Sequence, residues 1–162
     1  MAFVDRDDGG SRTLDEIDRK ICGELSRDAT LPYAELSARV GLSAAAVHER
    51  VRRLRASRSI LATVARLSGA AMGRPLLCFV SVTTANRDVG ALSELSDWPE
   101  VEEIHTMPGA DDVLVKLRCA DHDALQGLLE RLARLPGVAS LSAKPALRTL
   151  LERGPTAELS DG

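Results

Sequence analysis

The chain has 162 residues and a mass of 17.4 kDa, which suits one ordinary domain or two small ones. Hydrophobic residues make up 44% and charged residues 28%, a balance that excludes a long disordered polymer. The longest apolar run, residues 76–80, is far shorter than the ~18 residues of a membrane span, and no signal segment opens the chain. The three cysteines, Cys22, Cys78 and Cys119, form no CxxC motif. This spacing disfavours a disulfide scaffold or zinc ribbon and predicts a cytoplasmic protein without a metal or cofactor.

The net charge of −3 hides a strong asymmetry along the chain. Residues 39–66 contain one acid, Glu49, and seven arginines, at positions 39, 50, 52, 53, 55, 58 and 66. The segment therefore carries +6, and the remainder carries −9. A basic segment in an acidic protein is typical of a phosphate-binding surface, although a solvated helix face gives the same run of charges.

The first part of the chain predicts three short helices after a loose tail at residues 1–12. Thr13 fits the N-cap of the first helix, with Glu16 as its capping-box partner, and the apolar spacing predicts a helix to about Asp28. Pro32 suits the first turn of a second helix, which Gly41 ends.

Ser43 fits the cap of the third helix, and its inward stripe is Val47, Val51 and Leu54. Three helices with this spacing predict a helix-turn-helix domain over residues 13–58.

The second half of the chain predicts an α+β domain over residues 76–151. A short β-like stretch at 60–67 and a Gly- and Pro-containing linker fill residues 59–75, and residues 152–162 form a C-terminal tail. Strands are predicted at 76–84, 101–106, 113–118 and 138–151, the last interrupted at Pro145. A short helical pattern lies at 88–98, and an amphipathic helix capped by Asp121 follows the third strand. The order β-α-β-β-α-β is that of a ferredoxin-like sheet.

The third helix is the candidate DNA-binding element. A step of 100° per residue places Ala45, His48, Glu49, Arg52 and Arg53 opposite the buried stripe, with Arg50 at its edge. Small residues in the first turn allow a helix to approach base edges, and arginines further along reach phosphates or guanines. The predicted DNA-contacting residues are Ser43, Ala44, Ala45, His48, Arg50, Arg52 and Arg53.

The chain resembles the Lrp/AsnC (feast/famine) family of transcriptional regulators. The resemblance lies in LDEIDRKICGELSRDATLPYAELSARVGLSAAAVHERVRRL, which matches the helix-turn-helix, and in PLLCFVSV, VEEIHTMPGADDVLVKL and LPGVASLSAKPAL further on. It implies a winged-helix-like N-terminal domain joined to a ferredoxin-like βαββαβ effector and dimerisation domain. Two departures lie at the end of the third helix, where Arg55 and Arg58 replace the usual Glu and Gly, and Arg is costlier than Gly at a left-handed helix stop.

The resemblance also implies a homodimer, commonly part of a larger assembly, that binds a small effector, often an amino acid, between subunits. The effector residues it indicates are Met107, Pro108, Gly109, Ala110, Asp111 and Asp112 in one loop, with Ser140 and Ser142 from a neighbouring subunit. Ala110 and Asp111 depart from the family pattern, so an acidic turn that binds nothing is the alternative. For the dimer surface, the sequence offers Leu77, Phe79, Leu114 and Leu117, or their neighbours, depending on register.

Two other functions compete with a DNA-binding regulator. Siroheme decarboxylases share the fold group, and such an enzyme would recruit His105 and His122. An effector-binding protein that no longer reads DNA is the second alternative, because of Arg55 and Arg58. The retained arginines favour a non-enzymatic, DNA-binding regulator.

Overall fold

The computed structural model describes residues 14–87 and 89–155, which divide into two compact units. The first holds residues 14–65 and 151–155, and the second holds residues 66–150. The α-helices are α1 (Glu16–Arg27), α2 (Tyr33–Val40), α3 (Ala44–Ala56) and α4 (His122–Ala133); the strands are β1 (Leu76–Thr84), β2 (Val101–Thr106), β3 (Val113–Cys119) and β4 (Val138–Pro145). No helix in the described ranges is long and apolar enough to cross a membrane.

The N-terminal unit is the predicted bundle of three helices. The N-cap of α1 is Asp15, whose side chain accepts a hydrogen bond from the Asp18 N–H at 2.7 Å. The predicted cap at Thr13 is therefore wrong by two residues, because Asp15 already satisfies a first-turn donor, and Thr13 itself lies outside the described residues. Pro32 is the N-cap of α2, one position before the predicted first turn.

The turn between α2 and α3 is set by its first and last residues. Gly41 ends α2 at φ +70°, a conformation that glycine adopts without a Cβ penalty. Ser43 caps α3 as predicted, and its hydroxyl accepts from the Ala46 N–H at 3.2 Å. The stripe of Val47, Val51 and Leu54 is buried, so α3 presents its opposite face to solvent.

Arg58 ends α3 in the left-handed conformation, at φ +56°. Ser57 is the C-cap, and the Arg58 N–H donates to the Arg55 carbonyl at 3.1 Å. The Ile60 N–H then donates to the Leu54 carbonyl at 3.0 Å, which completes the helix stop. The helix α3 therefore ends in a left-handed residue that is not glycine, and the Cβ of Arg58 makes that backbone conformation sterically costly.

The strand predicted at residues 60–67 does not form, so this prediction is wrong. The segment has no regular secondary structure, and Leu61 and Val64 are 73% and 79% exposed. β-type composition provides a strand only where a second strand supplies hydrogen-bond partners, and no strand among the described residues pairs with this segment.

The C-terminal unit has the predicted ferredoxin-like topology. Its antiparallel sheet has the order β2-β3-β1-β4, and the chain follows the β-α-β-β-α-β order. The first helical element is a 3-10 helix, Gly90–Asp97, after a short 3-10 turn, Ala85–Arg87. The helix α4 begins at its predicted cap, where Asp121 accepts from the Ala124 N–H at 2.8 Å.

One face of the sheet is covered by the 3-10 helix and α4. Leu92, Leu95 and Leu132 pack there against Val80 and Val115 of the central strands. The last strand ends at Pro145, so the extended structure predicted as far as Leu151 is shorter than expected.

The opposite face of the sheet carries Leu77, Phe79 and Leu114, as the sequence predicted for a dimer surface. Leu117 is opposite Cys78 in the pairing register, and both side chains belong to the core. Leu117 was therefore assigned to the wrong face, because alternation in a strand fixes which residues share a face but not which face meets the helices.

Candidate DNA-binding and effector sites

The exposed face of α3 gathers the predicted DNA-contacting residues of the N-terminal unit. Ser43, Ala44 and Ala45 form the exposed start of the helix, and His48, Arg52 and Arg53 follow on the same exposed side. The exposure of Ala45, His48, Arg52 and Arg53 agrees with the helical step, while their contact with DNA stays a prediction.

Arg50 differs from the other candidates because it faces α1. Its Nη1 atom lies 2.6 Å from Asp15 Oδ2 and 2.6 Å from Asp18 Oδ1, and its side chain is only 21% exposed. The hydrogen bond from Arg50 is the main reason why the pKa of Asp15 is lowered. These two ion pairs tie α3 to the beginning of α1.

Two further arginines of the basic segment are engaged with acids. Arg39 of α2 forms ion pairs with Glu24 and Glu35, both at 2.5 Å. Arg52 holds Glu49 with two hydrogen bonds, of 2.7 and 2.8 Å, and this lowers the pKa of the Glu49 carboxyl. Glu24 and Glu35 lie outside residues 39–66, so they offset part of the local charge of +6, as Asp15 and Asp18 do at Arg50.

Arg53, Arg55 and Arg58 are three further arginines of the basic segment. All three are exposed, and none has a carboxylate within ion-pair distance in the part of the chain that the structure describes. Arg55 and Arg58 are departures from the family pattern that also belong to the basic segment, and their exposure leaves both guanidinium groups accessible. The exposed ring of His48 packs edge-on against Tyr33, with centroids 5.6 Å apart.

The candidate effector loop, residues 107–112, connects β2 to β3. Its ends are closed by the Met107 N–H, which donates to the Asp112 carbonyl at 2.8 Å, and by the Asp112 N–H, which donates to the Val82 carbonyl at 3.0 Å. Gly109 has φ +116°, and a Cβ there would meet nothing within 4 Å. The tip of the loop is therefore open to a ligand, and its backbone conformation favours glycine.

The two aspartates of the loop have different environments. Asp112 is only 8% exposed, and its Oδ2 accepts from the Thr84 N–H at 2.7 Å and the Thr84 hydroxyl at 3.0 Å. The backbone hydrogen bond from Thr84 is the main reason why the pKa of Asp112 is lowered. Asp111 is half-buried and has no such partner among the described residues. Of the two, Asp111 is the one whose carboxylate remains available for a ligand.

Arg87 is a neighbour of the loop that sequence reasoning missed. Its Nη2 donates to the Gly109 carbonyl at 3.2 Å, and its Nε lies 3.6 Å from Asp112 Oδ1. Arg87 also has φ +56°, an uncommon conformation for a residue with a Cβ. No local sequence pattern predicts this contact, because 22 residues separate Arg87 from Gly109.

Ser140 and Ser142 lie on β4, at an edge of the sheet. They pair with Thr83 and Ser81 of β1, so they share the face opposite the helices, and both are exposed. Their strand is separated from the 107–112 loop of the same chain by β1, in keeping with their expected use by a neighbouring subunit.

The two histidines of the enzyme alternative are both exposed and lie on different elements of the C-terminal unit. His105 is exposed on β2 and lies 3.0 Å from Glu103, while His122 is an exposed residue at the start of α4. Within residues 14–87 and 89–155, no group of three metal-ligating side chains comes together.

Comparison with known protein families gives a match for the N-terminal unit and a match for the C-terminal unit. Residues 14–55 match the sequence model of the AsnC-type helix-turn-helix domain, and residues 77–156 match that of the Lrp/AsnC ligand binding domain. The chain belongs to the Lrp/AsnC family of transcriptional regulators. It is a DNA-binding transcriptional regulator of this type, and the comparisons do not favour the decarboxylase alternative.

Individual relatives of this Lrp/AsnC protein cover most of its length. The leucine-responsive regulatory protein of Escherichia coli K12 is 39% identical over 142 residues, 84% of this chain and 86% of the relative. The HTH-type transcriptional regulator FL11 of Pyrococcus horikoshii is 34% identical over 137 residues, 84% of this chain and 91% of the relative.

Solved structures of Lrp/AsnC-type regulators share the fold. The feast or famine regulatory protein of M. tuberculosis complexed with L-methionine has a TM-score of 0.84 at 31% identity, over 90% of this chain and 99% of that one. A transcriptional regulator of Neisseria meningitidis in complex with L-methionine has a TM-score of 0.81 at 26% identity, over 87% and 94%.

Proposed function

We propose that this regulator binds operator DNA through the exposed face of α3 and that a small amino acid at the 107–112 loop modulates its assembly or DNA affinity in the cytoplasm. The observation that supports DNA binding most directly is that Arg53, Arg55 and Arg58 are exposed and have no carboxylate partners among the described residues. These arginines can contact DNA phosphates without first breaking an ion pair within the protein.

The proposal assigns different tasks along α3. Ser43, Ala44 and Ala45 let the beginning of the helix approach base edges in the major groove, and His48 lies one turn further on. Arg52 and Arg53 contact phosphates or guanine edges, with Arg52 exchanging Glu49 for the nucleic acid. Arg50 orients the helix through its pairs with Asp15 and Asp18.

The dimer forms through the face of the sheet that the helices leave uncovered. Phe79 and Leu114 are half-buried on this face, although the sheet packs no helix against them. An apolar patch of this kind suits a two-fold contact between identical surfaces. Two copies would read approximate palindromes whose half-sites are about one helical turn apart, or a multiple of it.

The effector proposal rests on the open tip of the loop. Gly109 leaves room beside main-chain N–H groups that suit a ligand carboxylate, and Asp111 supplies a negative charge for an ammonium group. Ser140 and Ser142 of a neighbouring subunit would complete the pocket. Asp111 also makes the pocket polar, so we expect a small, polar or basic amino acid rather than leucine.

The test is selection of bound genomic fragments by the full-length protein, with and without a pool of amino acids. We expect fragments with palindromic half-sites, and a set that changes when the pool is added. A Gly109→Arg variant should select the same fragments but ignore the pool. Selection of no fragments would favour an effector-binding protein that no longer reads DNA; fragments unaffected by the pool would indicate that the loop binds nothing.

A further inference from the structure

A cavity lies in the C-terminal unit, away from the effector loop. It has a volume of about 400 Å³ and is bounded by the turn at residues 72–74, by Glu100 before β2, by the end of β3 and by one side of α4. Small-molecule sites in proteins typically measure about 300–1,000 Å³. The effector loop precedes β3 and this cavity lies at its other end, so the strand of seven residues separates them by roughly 20 Å.

Three charged side chains line this cavity, and they do not pair with one another. Arg74 donates through Nη1 to the Pro99 carbonyl, and the Arg131 guanidinium stacks on the Trp98 ring, 3.6 Å from its centroid. Glu100 is half-buried. Among the described residues, Arg74, Arg131 and Glu100 have no ion pair, whereas Lys116, Arg118 and Arg134 of the same unit all have one.

On the α4 side, the uncharged wall of the cavity is apolar. Ala124, Gly127 and Leu128 contribute to it, and a Cβ at Gly127 would meet no atom within 4 Å. Glycine in the middle of a helix costs about 0.5–1 kcal/mol relative to alanine. Here it keeps open a space that a larger side chain would fill.

We propose that this cavity binds an acidic amino acid. Two guanidinium groups and one carboxylate are the charge complement of a ligand with two carboxylates and one ammonium group. Each carboxylate would accept hydrogen bonds from one arginine, and Glu100 would accept from the ammonium group. A monocarboxylic amino acid leaves one arginine without a partner, and a plain dicarboxylic acid leaves Glu100 without one.

The chain carries its own reporter for this site. Trp98 is the single tryptophan, and it contacts Arg131 directly. L-glutamate should therefore change the tryptophan fluorescence of the full-length protein in a saturable way, and calorimetry should give the same dissociation constant. L-glutamine and glutarate should each bind at least about ten-fold more weakly, since each lacks one of the three charged groups.

Variants on both sides of β3 separate this site from the effector loop. Arg74→Gln should weaken L-glutamate binding by about 10- to 100-fold, and Gly127→Leu should abolish it by filling the cavity. Gly109→Arg should leave it unchanged, even if the proposed effector site is lost. Unchanged thermal melting would show that the variants fold.

Three results would overturn the proposal. The first is no saturable fluorescence response to L-glutamate in the wild type, and the second is an affinity for L-glutamate in Arg74→Gln and Gly127→Leu equal to that of the wild type. The third is loss of L-glutamate binding in Gly109→Arg alone.

Discussion

The face of α3 and the 107–112 loop both carry charged residues that are adjacent in sequence, but the structure divides them differently. On α3, Arg52 and Arg53 both lie on the solvent side, because a helix fixes the direction of each side chain by its position. In the loop, Asp111 remains accessible while Asp112 turns inward to Thr84. The exposed face of a helix, and the charged residues on it, can therefore be predicted from sequence spacing. Whether a charged side chain in a loop is exposed depends instead on which distant backbone groups need a hydrogen-bond partner.

The largest expected effect tests the surface on α3. Replacing Arg53 and Arg55 with Ala should weaken operator binding at least about ten-fold. It should also lower the slope of log K against log salt by about 0.9 for each phosphate that the variant no longer neutralises. Binding titrations over a range of salt concentrations measure both quantities.

Two single variants serve as controls for this pair. Arg134→Ala removes an exposed arginine at the C-cap of α4 and should leave affinity and salt slope unchanged. Arg50→Ala should lower the thermal stability of the N-terminal unit with little change in slope, because its charge is used against Asp15 and Asp18. An unchanged slope in the Arg53/Arg55 variant would remove this part of α3 from the DNA-binding surface.

The next effect tests the two aspartates of the loop as a matched pair. Asp111→Asn should weaken effector binding about ten-fold without changing the melting temperature, since it removes only a partner of the ligand. Asp112→Asn should lower the melting temperature, because an amide replaces a carboxylate that accepts two hydrogen bonds from Thr84. Calorimetry measures effector affinity, and thermal melting measures stability, for both variants. If the two variants changed affinity and melting temperature equally, Asp111 and Asp112 would have the same role.

A smaller effect is expected from pH. The pKa of Asp112 is lower in the folded protein than its ordinary value, so its ionised form stabilises the fold. This contribution is complete above the unfolded-state pKa of about 3.9 and is lost as the pH falls through the lower folded-state value. Denaturant unfolding between about pH 2 and pH 5 should show a steeper loss of stability on acidification in the wild type than in Asp112→Asn. Parallel curves would contradict the assigned role.

The smallest effect concerns the end of α3. Arg58→Gly should raise the free energy of unfolding by about 1 kcal/mol, because glycine adopts φ +56° without the Cβ penalty. It should also weaken DNA binding slightly, since one cation is removed. The matched change in the opposite direction is Gly41→Ala at φ +70°, which should be destabilising. If Arg58→Gly proves neutral or destabilising, the arginine makes a compensating contact.

Much of the fold could be predicted from periodicity and capping residues. The stripe of Val47, Val51 and Leu54 placed α3 correctly, and the apolar run at 76–84 matched β1. The segment at 60–67 failed because composition does not reveal whether a pairing strand exists. The first helical element formed a 3-10 helix rather than the α-helix that the spacing of Leu92 and Leu95 resembles.

The candidate sites were harder to predict because they depend on long-range partners. Arg50 meets Asp15 across 35 residues, and Asp112 meets Thr84 across 28. Counting charges within a segment cannot show that acids on another helix already hold an arginine. The cavity beside α4 was also missed, since Arg74, Glu100 and Arg131 are spread over three parts of the chain.

The irregular segment at residues 61–67 has a practical consequence for handling the protein. A protease needs several residues of unstructured backbone, and this segment offers them with Leu61, Val64 and Leu67 exposed. Thermolysin, which cleaves before large apolar residues, should therefore cut here before it cuts within α3 or β1. Brief digestion would yield a fragment ending shortly after the three-helix bundle and another beginning shortly before the sheet, each suited to separate study by calorimetry or NMR.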